Sequence, residues 1–225
     1  EVVRLAEKLG KKRIAILRPA HQQEESAALA EEYGFSPIAA PAIALAEKPL
    51  PEDLIKRISS VECVAFTSAN GVNIALKIPG ISSALAGKMI VAIGPKTRQA
   101  LVERGLEAQV PEEYSSSGLE RMLKGKCQSI LFLRSAQGSR YLSQGLKEAG
   151  LIVDDIPLYD TVPSGDPRLD ELIMMIRSVD IFAFTSSSTA RYLLERAQAL
   201  DRKEELFEAL AAGTVAAIGL PTSQE

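Results

Sequence analysis

FTSAN at 66–70 and FTSSS at 184–188 each stand between a short apolar run and a stretch of helical periodicity. They are not an isolated pair. IAILRPA (14–20) and VAIGPKT (91–97) recur as LFLRSAQ (131–137) and AAIGLPT (216–222). Arg18 maps to Arg134 and Pro41 to Pro157 at one shared offset, and Gly94 with Thr97 maps to Gly219 with Thr222 at a slightly larger one. Matches kept in one order along the chain mark an internal duplication. Two duplicated halves predict two similar lobes, and the groove between such lobes is a natural ligand site.

Outward from these turns, apolar runs at 13–18, 36–40, 62–67, 88–93, 106–110, 129–134, 151–156, 180–185 and 214–218 predict strands. Between them, 23–33, 97–105, 139–150 and 188–200 carry helical periodicity. Short β and α units in alternation predict doubly wound, flavodoxin-like α/β lobes with parallel sheets. Continuous apolar strands fit sheets covered by helices on both faces. Two stretches break the alternation: the proline-rich 37–51, and 157–167 with Tyr159 inside PLYDTVP. They are mutually equivalent in the repeat and are expected to carry the chain between lobes. The central lobe is then 44–156, the linkers are 39–43 and 157–161, and the outer lobe is discontinuous, built from 1–38 and 162–225. Its order is a circular permutation of the central one. The counterpart of 98–124 has no sequence after Glu225; a helix at 1–9, within which VVRLAEKLG (2–10) begins, is expected to cover the sheet in its place, with a truncated or tagged sequence as the equal alternative.

Bulk properties bound the function. In 225 residues, 46% are hydrophobic and 24% charged, the balance of a globular protein. A net charge of only −3 argues against a nucleic-acid coat or binding to an anionic membrane. Cys63 and Cys127 sit beside apolar runs and read as buried free thiols rather than a disulfide or a metal pair. No apolar run approaches the roughly 18 residues of a membrane span, and no signal-peptide pattern opens the chain, so a cytoplasmic location is expected.

Glycine-rich phosphate loops, a nucleophile elbow and an HExxH zinc helix are all absent. The single histidine, His21, has no metal partner nearby in sequence. What remains is a set of hydroxyls and backbone donors at predicted strand ends: Thr67, Ser68, Asn70, Gly94, Thr97, Thr185, Ser186, Ser187, Gly219 and Thr222. Helix N-termini offer unpaired N–H groups, and neighbouring hydroxyls extend that donor surface toward carboxylates or phosphates. Plain helix capping explains one Ser or Thr per helix, but not the Thr-Ser pair in both halves. Arg18 and Arg134 end equivalent strands, where a guanidinium can clamp a carboxylate or form a surface ion pair. Tyr114 and Tyr159 are candidates to face the groove. Tyr159 is the sharper one, since a phenol can donate a proton to a leaving oxygen.

The order LRP, FTSANGV, AIGPKT, VPEEYSSSGL, LFLR, PLYDTVP, FTSSSTARY, AIGLPT resembles the uroporphyrinogen-III synthase family over 13–223. The resemblance implies two α/β lobes on a two-stranded connection, with a deep cleft between them. It also implies a cofactor-independent lyase. Its substrate is hydroxymethylbilane, a linear tetrapyrrole with eight carboxylates. The product is uroporphyrinogen III, formed with loss of water and inversion of ring D through a spiro intermediate. Tyr159 falls at the position of the family tyrosine proposed as the acid. A monomer that receives its substrate from the preceding pathway enzyme is implied as well. The chain departs from the family pattern at its N-terminal stretch and in lacking the final strand and helix. Two other readings stay open on the residues alone. One is a non-catalytic two-lobed binding or sensor protein for a small anion. The other is a sugar-nucleotide transferase, disfavoured by the missing glycine-rich turn.

Overall fold

The computed structural model describes residues 11–218 and Thr222. The first elements of the described residues are β1 (Arg13–Ile16), α1 (Gln23–Glu32), β2 (Ser36–Ala39) and β3 (Ile43–Glu47). The chain continues with α2 (Leu54–Ser60), β4 (Cys63–Phe66), α3 (Ala69–Ala75), α4 (Ile81–Leu85), β5 (Met89–Ala92), α5 (Pro95–Val102) and α6 (Ser116–Leu123). Then come β6 (Ser129–Ser135), α7 (Arg140–Glu148), β7 (Ile152–Pro163), α8 (Pro167–Met174), β8 (Ile181–Phe184), α9 (Ser187–Ala199), α10 (Lys203–Ala212) and β9 (Thr214–Ala217). Contacts divide the chain into two units. One runs from Ala46 to Thr161; the other comprises the chain up to Leu45 and from Val162 onward.

The central unit holds a sheet of order β3-β7-β6-β4-β5. Its β7-β6, β6-β4 and β4-β5 pairs are parallel. The outer unit holds a sheet of order β2-β1-β8-β9, parallel throughout. Placing the repeat onto these orders equates β6 with β1, β7 with β2, β4 with β8 and β5 with β9. The two sheets then have one strand order. The duplication read from the sequence is therefore a duplication of topology.

Two expectations change. Residues 106–110 do not form a strand. Gln109 alone bridges Val91, accepting from the Ala92 N–H and donating to the Ile90 carbonyl, before Pro111 ends the approach. The fifth strand is instead β3, inside the proline-rich stretch read as a plain crossover. Pro41 and Pro49 flank IALAE without entering it, a placement an edge strand tolerates. The Ser164 N–H donates to the Ala42 carbonyl and the Lys48 N–H to the Leu158 carbonyl. As one chain advances the other runs back, so β3 and β7 form an antiparallel ribbon. Residues 157–161, expected as a linker, belong to the continuous strand β7.

Alternation along the strands builds the cores. In the central unit Cys63, Ala65, Val91, Ile130 and Phe132 face Leu119 and Leu123 of α6 and Leu142 and Leu146 of α7. Both cysteines are free and buried there; burial first, and then the neighbouring Cys127 sulfur, push the Cys63 thiol up. In the outer unit Ala15, Leu17, Phe182 and Phe184 pack against α8, α9 and α10. The opposite face of that sheet, with Ile14, Ile16 and Ala183, lines an apolar groove of about 300 Å³ beside Leu29 and Tyr33 of the outer unit. Position for position, this is the space that Leu119 and Leu123 fill in the central unit. The helix expected at 1–9 lies outside the described residues.

One glycine fixes how α6 meets the loop that carries Tyr114. A Cβ on Gly118 would come within 2.0 Å of the Glu113 carbonyl oxygen, a backbone atom that cannot swing aside. Gly118→Ala is therefore expected to lower stability by about 1–3 kcal/mol, as overpacking does, measured by urea unfolding of the two proteins. An unchanged midpoint would mean that the loop yields freely.

Candidate active site

All the strand-end turns of a parallel sheet lie on one edge, where open α/β sheets bind ligands. On that edge of the central unit, Ser68 is the N-cap of α3. Its backbone is extended (φ −158°, ψ 150°) and its Oγ accepts from the Gly71 N–H at 3.0 Å. The same Oγ lies 2.9 Å from the Tyr159 hydroxyl. Two residues singled out in separate motifs, FTSAN and PLYDTVP, are thus in direct contact. Gly71 permits the close approach, because a Cβ there would sit 3.1 Å from the Leu133 carbonyl oxygen and 3.2 Å from Ser68 Oγ.

Tyr159 is aimed by an irregularity that no sequence pattern announced. Arg134 pairs with Pro157, but Ser135 pairs with Tyr159, so β7 slips by one residue between them. A bulge of this kind turns a side chain that strict alternation would send the other way. Leu158 and Tyr159 are consequently buried in succession, Tyr159 with 5% of its surface exposed. Burial raises the phenol above its ordinary range, and the hydrogen bond with Ser68 acts in the opposite direction. The hydroxyl stays protonated at neutral pH and has a fixed partner.

The remaining candidates divide by exposure. Thr67, Ser68 and Asn70 are half-buried on the edge. Gly94 is the N-cap of α5, with Pro95 at the first helical position, and Tyr114, 60% exposed, packs against that turn: a Cβ on Gly94 would lie 3.5 Å from Tyr114 Cβ. Thr97 is buried and does not offer its hydroxyl at the surface. In the outer unit, Ser186 caps α9 just as Ser68 caps α3, with φ −161° and ψ 156°, and accepts from the Thr189 N–H at 3.3 Å. Thr185 and Ser187 flank it, half-buried. Thr222 is buried, and Gly219 lies outside the described residues. The repeat position of Tyr159 is Ile43, so the phenol belongs to one half alone.

Arg134 corrects an expectation. Its guanidinium does not stand open at the strand end. It pairs with Asp155 at 2.7 Å, donates to Ser143 Oγ at 2.7 Å and to the Ser139 carbonyl at 2.9 Å, and lies over the Phe132 ring. With the side chain 7% exposed, this arginine is committed to holding β6, β7 and α7 together. Asp155 and Ser143 carried no signal in the sequence beyond sitting where a strand and a helix should be. Arg18, in contrast, is half-buried and donates to Ser26 Oγ at 2.8 Å. Among the described residues, no group of three or more His, Cys, Asp or Glu is placed to hold a metal, and no helix is long and apolar enough to cross a membrane.

With this geometry in place, comparisons with known proteins converge. The family profile described as "Uroporphyrinogen-III synthase HemD" matches residues 24–225. A uroporphyrinogen-III synthase from Chlorobaculum parvum is 26% identical over 223 residues, covering 94% of this chain and 87% of its own. The crystal structure of a mutant uroporphyrinogen III synthase from Thermus thermophilus superposes with a TM-score of 0.63 at 26% identity, covering 95% of this chain and 87% of that one. The Helicobacter pylori uroporphyrinogen-III synthetase structure shares the fold, with a TM-score of 0.63 at 18% identity over 96% of this chain and 87% of its own.

The raised Tyr159 phenol has a consequence for stability. A group whose folded-state pKa lies above its unfolded value contributes fully below the unfolded value and is lost as pH rises toward the folded one. Stability is therefore expected to fall above about pH 10, where unfolded tyrosine ionises. Part of that fall is expected to disappear in Tyr159→Phe, measured as unfolding midpoints from pH 8 upward. Equal alkaline slopes in the two proteins would show that Tyr159 ionises normally.

Proposed function

The chain belongs to the uroporphyrinogen-III synthase family, and we propose that Tyr159, held by Ser68, is the acid that starts its reaction. Family membership makes the protein an enzyme of tetrapyrrole biosynthesis. The observation that carries the proposal is the 2.9 Å contact between Ser68 Oγ and the Tyr159 hydroxyl on the strand-end edge.

Hydroxymethylbilane must lose its hydroxyl group as water. The pyrrole nitrogen beside that carbon pushes electrons into the breaking C–O bond, so the protein needs only a weak acid at the departing oxygen. A buried, protonated phenol meets that demand. As the C–O bond breaks, the Tyr159 proton passes to the oxygen, and Ser68 can donate to the phenolate left behind. The resulting azafulvene is attacked by the substituted carbon of ring D, forming the spiro intermediate from which inversion follows. Geometry rather than strong acid chemistry then decides the product, since the freed intermediate also closes without inversion.

The half-buried hydroxyls of the two units, Thr67 and Ser68 on one and Thr185, Ser186 and Ser187 on the other, are the proposed donors to substrate carboxylates. Asn70, Gly94 and Tyr114 extend the edge of the central unit. Thr97 and Thr222, both buried, are not counted among these donors. The reading extends to a cofactor-independent lyase that works as a cytoplasmic monomer, with substrate handed over from the preceding enzyme of the pathway.

Freshly prepared hydroxymethylbilane, with type I and type III products separated, tests the reaction. Type III product is expected, and type I alone rejects the reading. Tyr159→Phe is expected to lower kcat roughly tenfold or more, at the weak end of general acid catalysis because the substrate supplies much of the push. KM should change little, and an unchanged kcat in folded protein removes Tyr159 from the mechanism. Single alanine changes at Thr67 and Thr185 are expected to cost about 1 kcal/mol each in kcat/KM, the worth of one neutral hydrogen bond. A far larger loss at either alone would point to a localised catalytic group.

A further inference from the structure

The duplication supplies an internal control for the two strand-end arginines. Each donates to a serine, and each serine is the fourth residue of the helix that follows: Arg18 to Ser26 in α1, Arg134 to Ser143 in α7. The device is the same; its completion differs. In the central unit Asp155 of β7, paired in register with Phe132, supplies the counter-charge to Arg134. In the outer unit the register-equivalent position, paired with Ile16 on β2, is Ala39. Among the described residues Arg18 therefore pairs with no carboxylate of the protein, although it is held by the same serine contact and stands on the same edge as Thr185.

A half-buried guanidinium that is oriented but has no carboxylate partner among the described residues is pre-organised for an anion from outside. We propose that Arg18 binds a carboxylate of the substrate, and that the loss of the Asp155 equivalent at Ala39 is what frees it to do so. One copy of a duplicated arginine kept the structural carboxylate, and the other exchanged it for a ligand. The proposal rests on the synthase reading for the identity of the polycarboxylate. It assigns Arg18 to substrate binding and Arg134 to the fold.

Three variants test the asymmetry: Arg18→Gln, Ala39→Asp and Arg134→Gln. Ala39→Asp installs the missing counter-charge and should occupy Arg18 without removing it. Steady-state kinetics with hydroxymethylbilane should show KM raised on the order of tenfold in Arg18→Gln and Ala39→Asp, as for loss of a hydrogen bond to a charged group. Their kcat should stay close to that of the parent, and so should their melting temperatures. Arg134→Gln should instead lower the melting temperature, because it leaves Asp155 without its counter-charge, with KM little changed in the protein that remains folded. If the parent makes type III product and both outer-unit variants keep the parental KM, the Arg18 assignment is overturned while the synthase reading stands.

If the parent makes only type I product, the synthase reading fails, and binding of uroporphyrin I decides the Arg18 assignment alone. This stable octacarboxylate is followed by its fluorescence. Weaker binding by Arg18→Gln and Ala39→Asp keeps the assignment, and parental binding by both removes it. Should Arg18→Gln not fold, Ala39→Asp carries either comparison by itself.

Discussion

The parallel pairing of β6 with β4 and β7 is the constraint from which the rest follows. Parallel strands need a crossover between them, so the strands paired in parallel enter their sheet from one edge and leave at the other, whereas β3 runs the opposite way. The exits carry turns into helices, and after β4 and β8 those turns cap the helix N-terminus with a short polar side chain. Ser68 and Ser186 are the outcome, nearly superimposable in backbone angles though 118 residues apart in sequence. A cap needs only one hydroxyl. The surplus hydroxyls beside it, and the Tyr159 phenol brought against Ser68, go beyond what capping requires.

Much of this was legible in the chain itself. The repeat, the parallel α/β class and the discontinuous unit follow from motif order and from proline-rich interruptions, signals that survive any local misreading. Strand identity at the margins was harder. IALAE at 43–47 is a strand because β7 offers it an antiparallel partner more than a hundred residues away, and nothing local announces that partner. EAQVP near 106–110 has the composition of a strand, but Pro111 cuts off its pairing after one bridge. Within the site, both partners of the Ser68–Tyr159 contact could be picked out, yet their contact depends on a bulge, which is a property of two strands together. Arg134 shows the reverse failure: a strand-end arginine looks available until Asp155, invisible as a partner in one dimension, is placed beside it.

Duplication followed by divergence explains why the two units are not equal in chemistry. The caps were kept in both, since the fold of each unit needs them. The tyrosine stands in one, and the repeat position in the other is an isoleucine, Ile43.

The discontinuous unit also bears on how the chain reaches its fold. Residues 46–161 are contiguous and hold their own sheet, apart from the first residues of β3, so that unit can complete itself as soon as it leaves the ribosome. β1 cannot. Its neighbour β8 comes so much later that the Arg13 N–H waits for the Asp180 carboxylate across 167 residues. Closing so long a loop costs less entropy when the intervening chain is already compact, because an ordered insert shortens the effective loop. Until β8 arrives, however, β1 and β2 expose strand edges that other chains can pair with. A slow step in biogenesis, and the window for misassembly, are thus expected in the outer unit, whose strands come from both ends of the chain.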